Sequence, residues 1–261
     1  MTRQQIIVPV AGMRAEPRPD AALDNEGLFG ETVEIFETEN GFAHARLLVD
    51  GYEGWIDGSA LGNLPAATAQ VTVPMTHVTS TPDIKSPGLF TLSIGSAVQV
   101  RAPAGEMVEI AMADGSGFVP AGHLRALDDR AADWVAVAET LIASPYKWGG
   151  RSVFGLDCSA LVQLALAAGG VRVPRDSGPQ HNIGTEIADP GNLQRGNLQR
   201  GDLQRGDLIF WRGHVGIMLD PDRLLHANAY HMAVAAEPLD QAIDRIAAVA
   251  GPVTAWRRPV A

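Results

Sequence analysis

Gly155-Leu156-Asp157-Cys158-Ser159-Ala160-Leu161-Val162, followed by Gly213-His214-Val215-Gly216-Ile217 and then Leu225-His226-Ala227, carries the chemistry of this chain. Cys158 is the single cysteine among 261 residues, so it cannot form an internal disulfide. A cysteine entering an apolar helix, with a histidine downstream on an apolar strand, has the outline of a thiol nucleophile and its base. A buried free cysteine beside two ordinary histidines is the plainer alternative.

The residues around these stretches set the architecture. Ala160 to Ala168 is too uniformly apolar for a surface helix and predicts a buried one, closed by Gly169-Gly170. Upstream, Trp134, Val137 or Ala138, Leu141 and Ile142 share one helical face, and Ser144-Pro145 ends that helix. From Asp207 the pattern turns to strands at 208–211, 215–219, 224–227 and 253–256. Turn signals at Arg212-Gly213 and Asp220-Pro221-Asp222 make them antiparallel hairpins. Helices followed by sheet predict an α+β domain over residues 129–261.

The first half has a different period. Thr32–Phe36, Phe42–Leu48 and Gly54–Ile56 alternate with a period of two around Glu39-Asn40-Gly41 and Asp50-Gly51. Leu92–Val100 echoes Leu28–Ile35, and Gly117-Phe118-Val119-Pro120 echoes Gly54-Trp55-Ile56-Asp57. The echo predicts two small β-barrels in tandem, at 1–66 and 67–128. A third repeat has a period of five: Asn192–Gly196, Asn197–Gly201 and Asp202–Gly206 each read Asn/Asp-Leu-Gln-Arg-Gly. That period is too short for a solenoid unit, and it reads as a duplicated turn in a surface loop.

Composition excludes some partners. Residues 1–129 hold 17 Asp and Glu against 7 Lys and Arg, while residues 130–261 hold 13 of each. The acidic half is a poor surface for nucleic acid, which needs clustered cations. Ordinary solubility explains the imbalance, and a ligand with a free amine would also suit the acidic surface. No stretch approaches the roughly 20 apolar residues of a membrane span, and the first ten residues lack a signal-peptide pattern. The expectation is a cytoplasmic protein with no membrane partner; oligomeric state is not legible.

Tyr146-Lys147-Trp148-Gly149-Gly150, Leu156-Asp157-Cys158-Ser159, Pro174-Arg175-Asp176-Ser177, Gly206-Asp207-Leu208, Gly213–Ile217 and Leu225–Ala227 occur in that order. Together they resemble the NlpC family of bacterial cell-wall cysteine peptidases, which have a papain-like core. Leu28-Phe29-Gly30-Glu31 and Gly51-Tyr52-Glu53-Gly54-Trp55 resemble bacterial SH3-like domains. The resemblance implies a papain-like peptidase domain behind two SH3-like barrels. It also implies hydrolysis of the γ-D-glutamyl–diamino acid bond in murein tri- or tetrapeptides with a free N-terminal L-Ala. No cofactor is implied.

Catalytic candidates follow from physical roles. Cys158 at a helix start faces unsatisfied N–H groups and the positive end of the helix dipole, which favour thiolate. His214 on a rigid strand is the base. A third group must orient that base. In the resembled family it lies on the next strand, and His226 is the candidate, with Asn228 and His231 behind it. The Cys158 N–H and the Tyr146 hydroxyl are candidate oxyanion donors. By resemblance, Asp157, Ser159 and Ser177 bind the peptide, with Asp157 on its α-amine, and Glu31 and Tyr52 close the amine end of the cleft. Asp157 as a helix N-cap and Tyr52 as a strand aromatic are the structural alternatives. Ala160 stands where the family commonly has glycine, and the Leu-Gln-Arg-Gly repeats lengthen the approach to Asp207. Two other functions fit parts of the pattern: a non-catalytic wall-binding adaptor, and a zinc site built from Cys158, His214, His226 and His231, which lacks the usual paired ligand spacing.

Overall fold

The computed structural model of the protein describes residues 2–187 and 203–260. The chain forms two compact units. One contains residues 1–129 together with Trp148–Gly155, and the other contains Arg130–Lys147 with Leu156–Ala261.

In the first unit, seven strands form one sheet in the order Leu23–Leu28, Val10–Arg14, Glu53–Asp57, Phe42–Leu47, Thr32–Glu39, Thr2–Ile6 and Leu61–Gly62. Alternation drives it: Val33, Ala43, Ala45, Leu47 and Ile56 point inward and pack with Ile6 and Met13. Residues 69–126 form a five-stranded and a three-stranded sheet around Val71, Val78, Leu92, Val98, Ile110 and Val119, with Phe29 in the same cluster. The sequence echo has local structural counterparts. Gly30 and Gly95 both take positive φ, 80° and 86°, and donate to Ile6 and Val71 carbonyls respectively. Short 3₁₀ turns at Gly58–Ala60 and Ala121–His123 each lead into a strand. At Gly30 a Cβ would lie 1.9 Å from the Ala97 carbonyl oxygen, so the turn demands glycine twice over.

The Trp148–Gly155 segment packs in this unit through ion pairs. Arg151 donates to both oxygens of Glu31 at 2.7 and 2.8 Å, and its backbone N–H donates to Glu26. Val153 N–H donates to the Ser93 hydroxyl.

The second unit is built on a six-stranded antiparallel sheet. Its order is Thr185–Glu186, Ala255–Arg258, Leu208–Trp211, His214–Asp220, Arg223–Asn228 and Ala233–Pro238. Among the described residues four helices accompany it: α1 (Trp134–Glu139), α2 (Cys158–Ala168), α3 (Ser177–Gln180) and α4 (Leu239–Ala250). Nine of the residues of α2, Cys158 to Leu166, are buried, and the helix ends at Gly169 with Gly170 at φ 89°. Leu239, Ala242 and Ile246 of α4 pack against Ile209, Trp211, Met218, Leu224 and Trp256.

Two expectations for this unit need correction. The first helix stops at Glu139, because Thr140 to Ser144 form successive tight turns that reach Ala143 at φ 71°. Helices do not all precede the sheet: a further strand, Ala233–Pro238, follows Arg223–Asn228, and α4 comes in chain order before the last strand, Ala255–Arg258. In α4, Leu239, Ala242, Ile243 and Ile246 recur at helical spacing. The repeated segment 192–206 falls outside the described residues except for its last four. There Leu203 is buried in the α4 core, and Arg205 pairs with Asp133 and Glu139.

Candidate active site

Two elements of the second unit meet at Cys158. Asp157 is the N-cap of α2, and its Oδ1 accepts from the Ala160 N–H at 2.9 Å. That cap fixes where the helix begins, so Cys158 occupies the first turn, where N–H groups have no intrahelical acceptor. The sulfur accepts backbone hydrogen bonds from Ser159 and from Val215, the neighbour of His214. The nucleophile candidate and the histidine strand are thereby tied at the backbone.

The imidazoles form a chain. His214 Nε2 lies 2.7 Å from His226 Nδ1, and His226 Nε2 lies 2.6 Å from Glu237 Oε1. Arg245 of α4 donates to both Glu237 oxygens and sits 4.3 Å from the Tyr230 ring. Register explains the line. Ile217 pairs with Leu225, which puts His214 and His226 diagonally across adjacent strands; His226 pairs with Ala235, which puts Glu237 on the next diagonal. Diagonal neighbours share a face and are within reach of long side chains.

Burial sets the resting protonation. Desolvation pushes the Cys158 thiol up to about 12; the Asp157 charge adds to this, and the two backbone donors and Arg175 oppose it. Desolvation, with His226 and Arg245, pulls His214 down to about 3. The resting pair is therefore a thiol and a neutral imidazole, not the pre-ionised pair expected from the helix terminus. Losing water outweighs the dipole here. Burial likewise lowers His226, against the pull of Glu237. Glu237 is held at about 2, because bonds from His226 and Arg245 overcome the burial that would raise it.

Tyr146 is half-buried, and burial followed by the Cys158 and Asp157 charges raises its hydroxyl to about 12, so it stays a donor. Asp157 is engaged as the cap and as a partner of Arg175, which donates to both its oxygens at 2.9 and 2.7 Å. Ser159 bridges the same two groups, donating to Asp157 and accepting from Arg175. Ser177 opens α3, and Gln180 of that helix donates to the Ser159 and Pro174 carbonyls. Asn228 and His231 bond each other in the turn after the His226 strand. Glu31 and Tyr52 belong to the first unit. There Glu31 is taken up by Arg151 and the Leu28 N–H, and Tyr52 packs against the barrel core.

Arg175, Glu237 and Arg245 were not singled out from the sequence as functional. Arg175 lies within Pro174-Arg175-Asp176-Ser177, where the resemblance gives it no role. An acidic residue in the apolar run Val234-Ala235-Ala236-Glu237 was the available signal for Glu237. The described residues whose ligating atoms cluster are His226, His231 and Glu237, within 4.8 Å of one another, without Cys158 or His214. Arg245 holds both Glu237 oxygens, and a guanidinium against a bound cation disfavours a metal there.

The NlpC/P60 family profile matches residues 143–245, and that of the bacterial dipeptidyl-peptidase SH3 domain matches residues 13–61. The chain carries an NlpC/P60 domain. It has the papain-like fold of that domain together with an SH3-like domain, and NlpC/P60 proteins are peptidoglycan peptidases. A similar protein is a dipeptidyl-peptidase 6 of Lysinibacillus sphaericus, 28% identical over 90% of this chain and 91% of that one. A γ-D-glutamyl-L-lysine dipeptidyl-peptidase of Bacillus cereus is 37% identical over 65 residues, 25% of this chain and 19% of its own. The crystal structure of an NlpC/P60 family protein from Bacillus cereus superposes with a TM-score of 0.81, covering both chains in full at 19% identity. None of the described helices is long and apolar enough to cross a membrane.

Proposed function

We propose that the protein is a cysteine peptidase that hydrolyses the γ-D-glutamyl–diamino acid bond of short murein peptides with a free N-terminal L-Ala. The observation carrying this is the hydrogen-bonded His214–His226 pair across adjacent strands, with the N–H of Val215, next to His214, reaching the Cys158 sulfur. The Lysinibacillus relative, similar along nearly its whole length, supports the dipeptidyl-peptidase reading. We also read residues 67–128 as a second SH3-like barrel, on the strength of the repeated glycine turn and 3₁₀ turn.

In this reading the thiol proton passes to His214 as sulfur bonds to the γ-carbonyl carbon. The oxyanion is met by the Cys158 N–H and the Tyr146 hydroxyl. The C–N bond then breaks, His214 gives its proton to the departing amine, and a thioester remains. Water adds to the thioester with His214 taking its proton, releasing L-Ala-D-Glu and restoring the thiol. Because the resting pair is neutral, this proton transfer accompanies attack. Asp157, Ser159 and Ser177 line the peptide's path, with Asp157 supplying the charge for its amine. Freed wall peptides, not intact wall, are then the substrate, which is a recycling role.

Incubation with L-Ala-γ-D-Glu-diaminopimelate, followed by chromatography, should release the diamino acid, and N-acetylation of the peptide should suppress release. Absence of release, or full activity in Cys158→Ala, overturns the proposal.

A further inference from the structure

A hydrogen bond between two ring nitrogens needs a proton on one and a lone pair on the other, so a chain of neutral imidazoles has two proton arrangements. Glu237 decides between them. A carboxylate only accepts, so His226 Nε2, 2.6 Å from Oε1, must carry a proton. Neutral His226 is then bare at Nδ1, which accepts the hydrogen bond donated by His214 Nε2–H across 2.7 Å. That leaves the lone pair of neutral His214 on Nδ1. The opposite arrangement would need a protonated Glu237, which Arg245 forbids by donating to both of its oxygens.

We propose that Glu237, held by Arg245, is a positioning residue that acts through His226 to make Nδ1 of His214 the base and to stabilise its imidazolium. This rests on reading Cys158 and His214 as nucleophile and base. The titratable and charged groups around the relay are Arg245 from α4, His231 from the turn, Glu237 from the neighbouring strand, and Cys158 from α2, whose sulfur is bonded by the N–H of Val215 beside His214. Of the groups acting on His214, His226 and Arg245 oppose charge on its ring and Glu237 favours it. A neutral orienting histidine thus gains the negative partner it lacks by itself.

The test is Glu237→Gln and Arg245→Gln in the full chain. Glu237→Gln should lower kcat about 10–100-fold, less than the roughly 10⁴-fold seen when a carboxylate bonded directly to the base is neutralised. The acid limb of its kcat/KM profile should move to lower pH. Arg245→Gln should move that limb to higher pH, because it removes an opposing cation and leaves Glu237 in place. Opposite shifts cannot come from loosened packing; shifts in the same direction, or none, overturn the proposal. ¹⁵N spectra of the wild-type histidines give a readout independent of turnover, so they hold whether or not the peptide is cleaved. His226 and His214 should both be protonated at Nε2 near neutral pH. Protonation of either at Nδ1 instead refutes it.

Discussion

Arg175→Met should destabilise the second unit more than any surface substitution, and the structure gives the scale. The Arg175 side chain is 1% exposed and that of Asp157 11%, so the pair belongs to the buried class and not to the surface class worth about 0–1 kcal/mol. Removing one member of a buried pair leaves an uncompensated charge and costs about 3–5 kcal/mol. Asp157 would keep only the Ala160 N–H and the Ser159 hydroxyl among the bonds described above. With a urea dependence of ~2 kcal/mol per molar, the midpoint should fall by about 2 M. Asp157→Asn in the same chain keeps the cap and deletes the charge, so the double variant should recover at least ~1 M. The thiol provides a second signal. Asp157 raises Cys158 and Arg175 lowers it, so Arg175→Met should slow iodoacetamide alkylation at fixed pH, and adding Asp157→Asn should speed it again. A midpoint shift under ~0.5 M, or a double variant no better than the single, would refute the reasoning.

Alkylation of wild-type Cys158 should be slow near pH 6 and climb about tenfold per pH unit, since thiolate is the reactive form and burial holds the thiol near 12; fast labelling at pH 6 would contradict a neutral resting pair. Thermal stability should fall at both ends of the pH range. His214 is about 3 folded and 6.5 unfolded, and Glu237 about 2 against 4.5, so the unfolded state binds more protons and stability is lost from pH 6.5 downward. Cys158, about 12 folded and 9 unfolded, costs stability above pH 9, so a melting temperature flat from pH 2 to 11 would contradict all three. Gly30→Ala should cost about 3 kcal/mol or more in the first unit, since positive φ and the Ala97 carbonyl both oppose a Cβ; chemical denaturation reads this, and a loss under ~1 kcal/mol would refute it.

Local patterns in the sequence carried far, because their causes are local. The apolar run after Cys158 is α2, and the continuous apolar run 208–211 is a strand buried at all four positions. The short first helix was overestimated, because Leu141 keeps helical spacing and a buried position even in the turns that follow Glu139. Helix α4 was missed, although its apolar spacing was available, because the domain was treated as sheet from Asp207 onward.

The site divides along the same line. Cys158, His214 and His226 stand out by residue type, since a lone thiol and histidines on apolar strands have few other uses. Glu237 does not stand out, because its role depends on a register that residue type does not reveal. A one-residue slip of the Ala233–Pro238 strand would turn its carboxylate to the opposite face, away from His226. What pins that register is spread over the hairpin: six consecutive pairs from Arg223–Pro238 to Asn228–Ala233, and Met232 at φ 51° in the turn between them. A neutral histidine is by itself a weaker electrostatic orienter of a base than a carboxylate. In the proposed relay that weakness is met one strand further on, where a carboxylate bonded by Arg245 of α4 supplies charge through the His226 ring. On that proposal, electrostatic support for the base comes from the part of the domain whose secondary structure is not legible in the sequence, and for one reason: both depend on contacts made after the Ala233–Pro238 strand pairs.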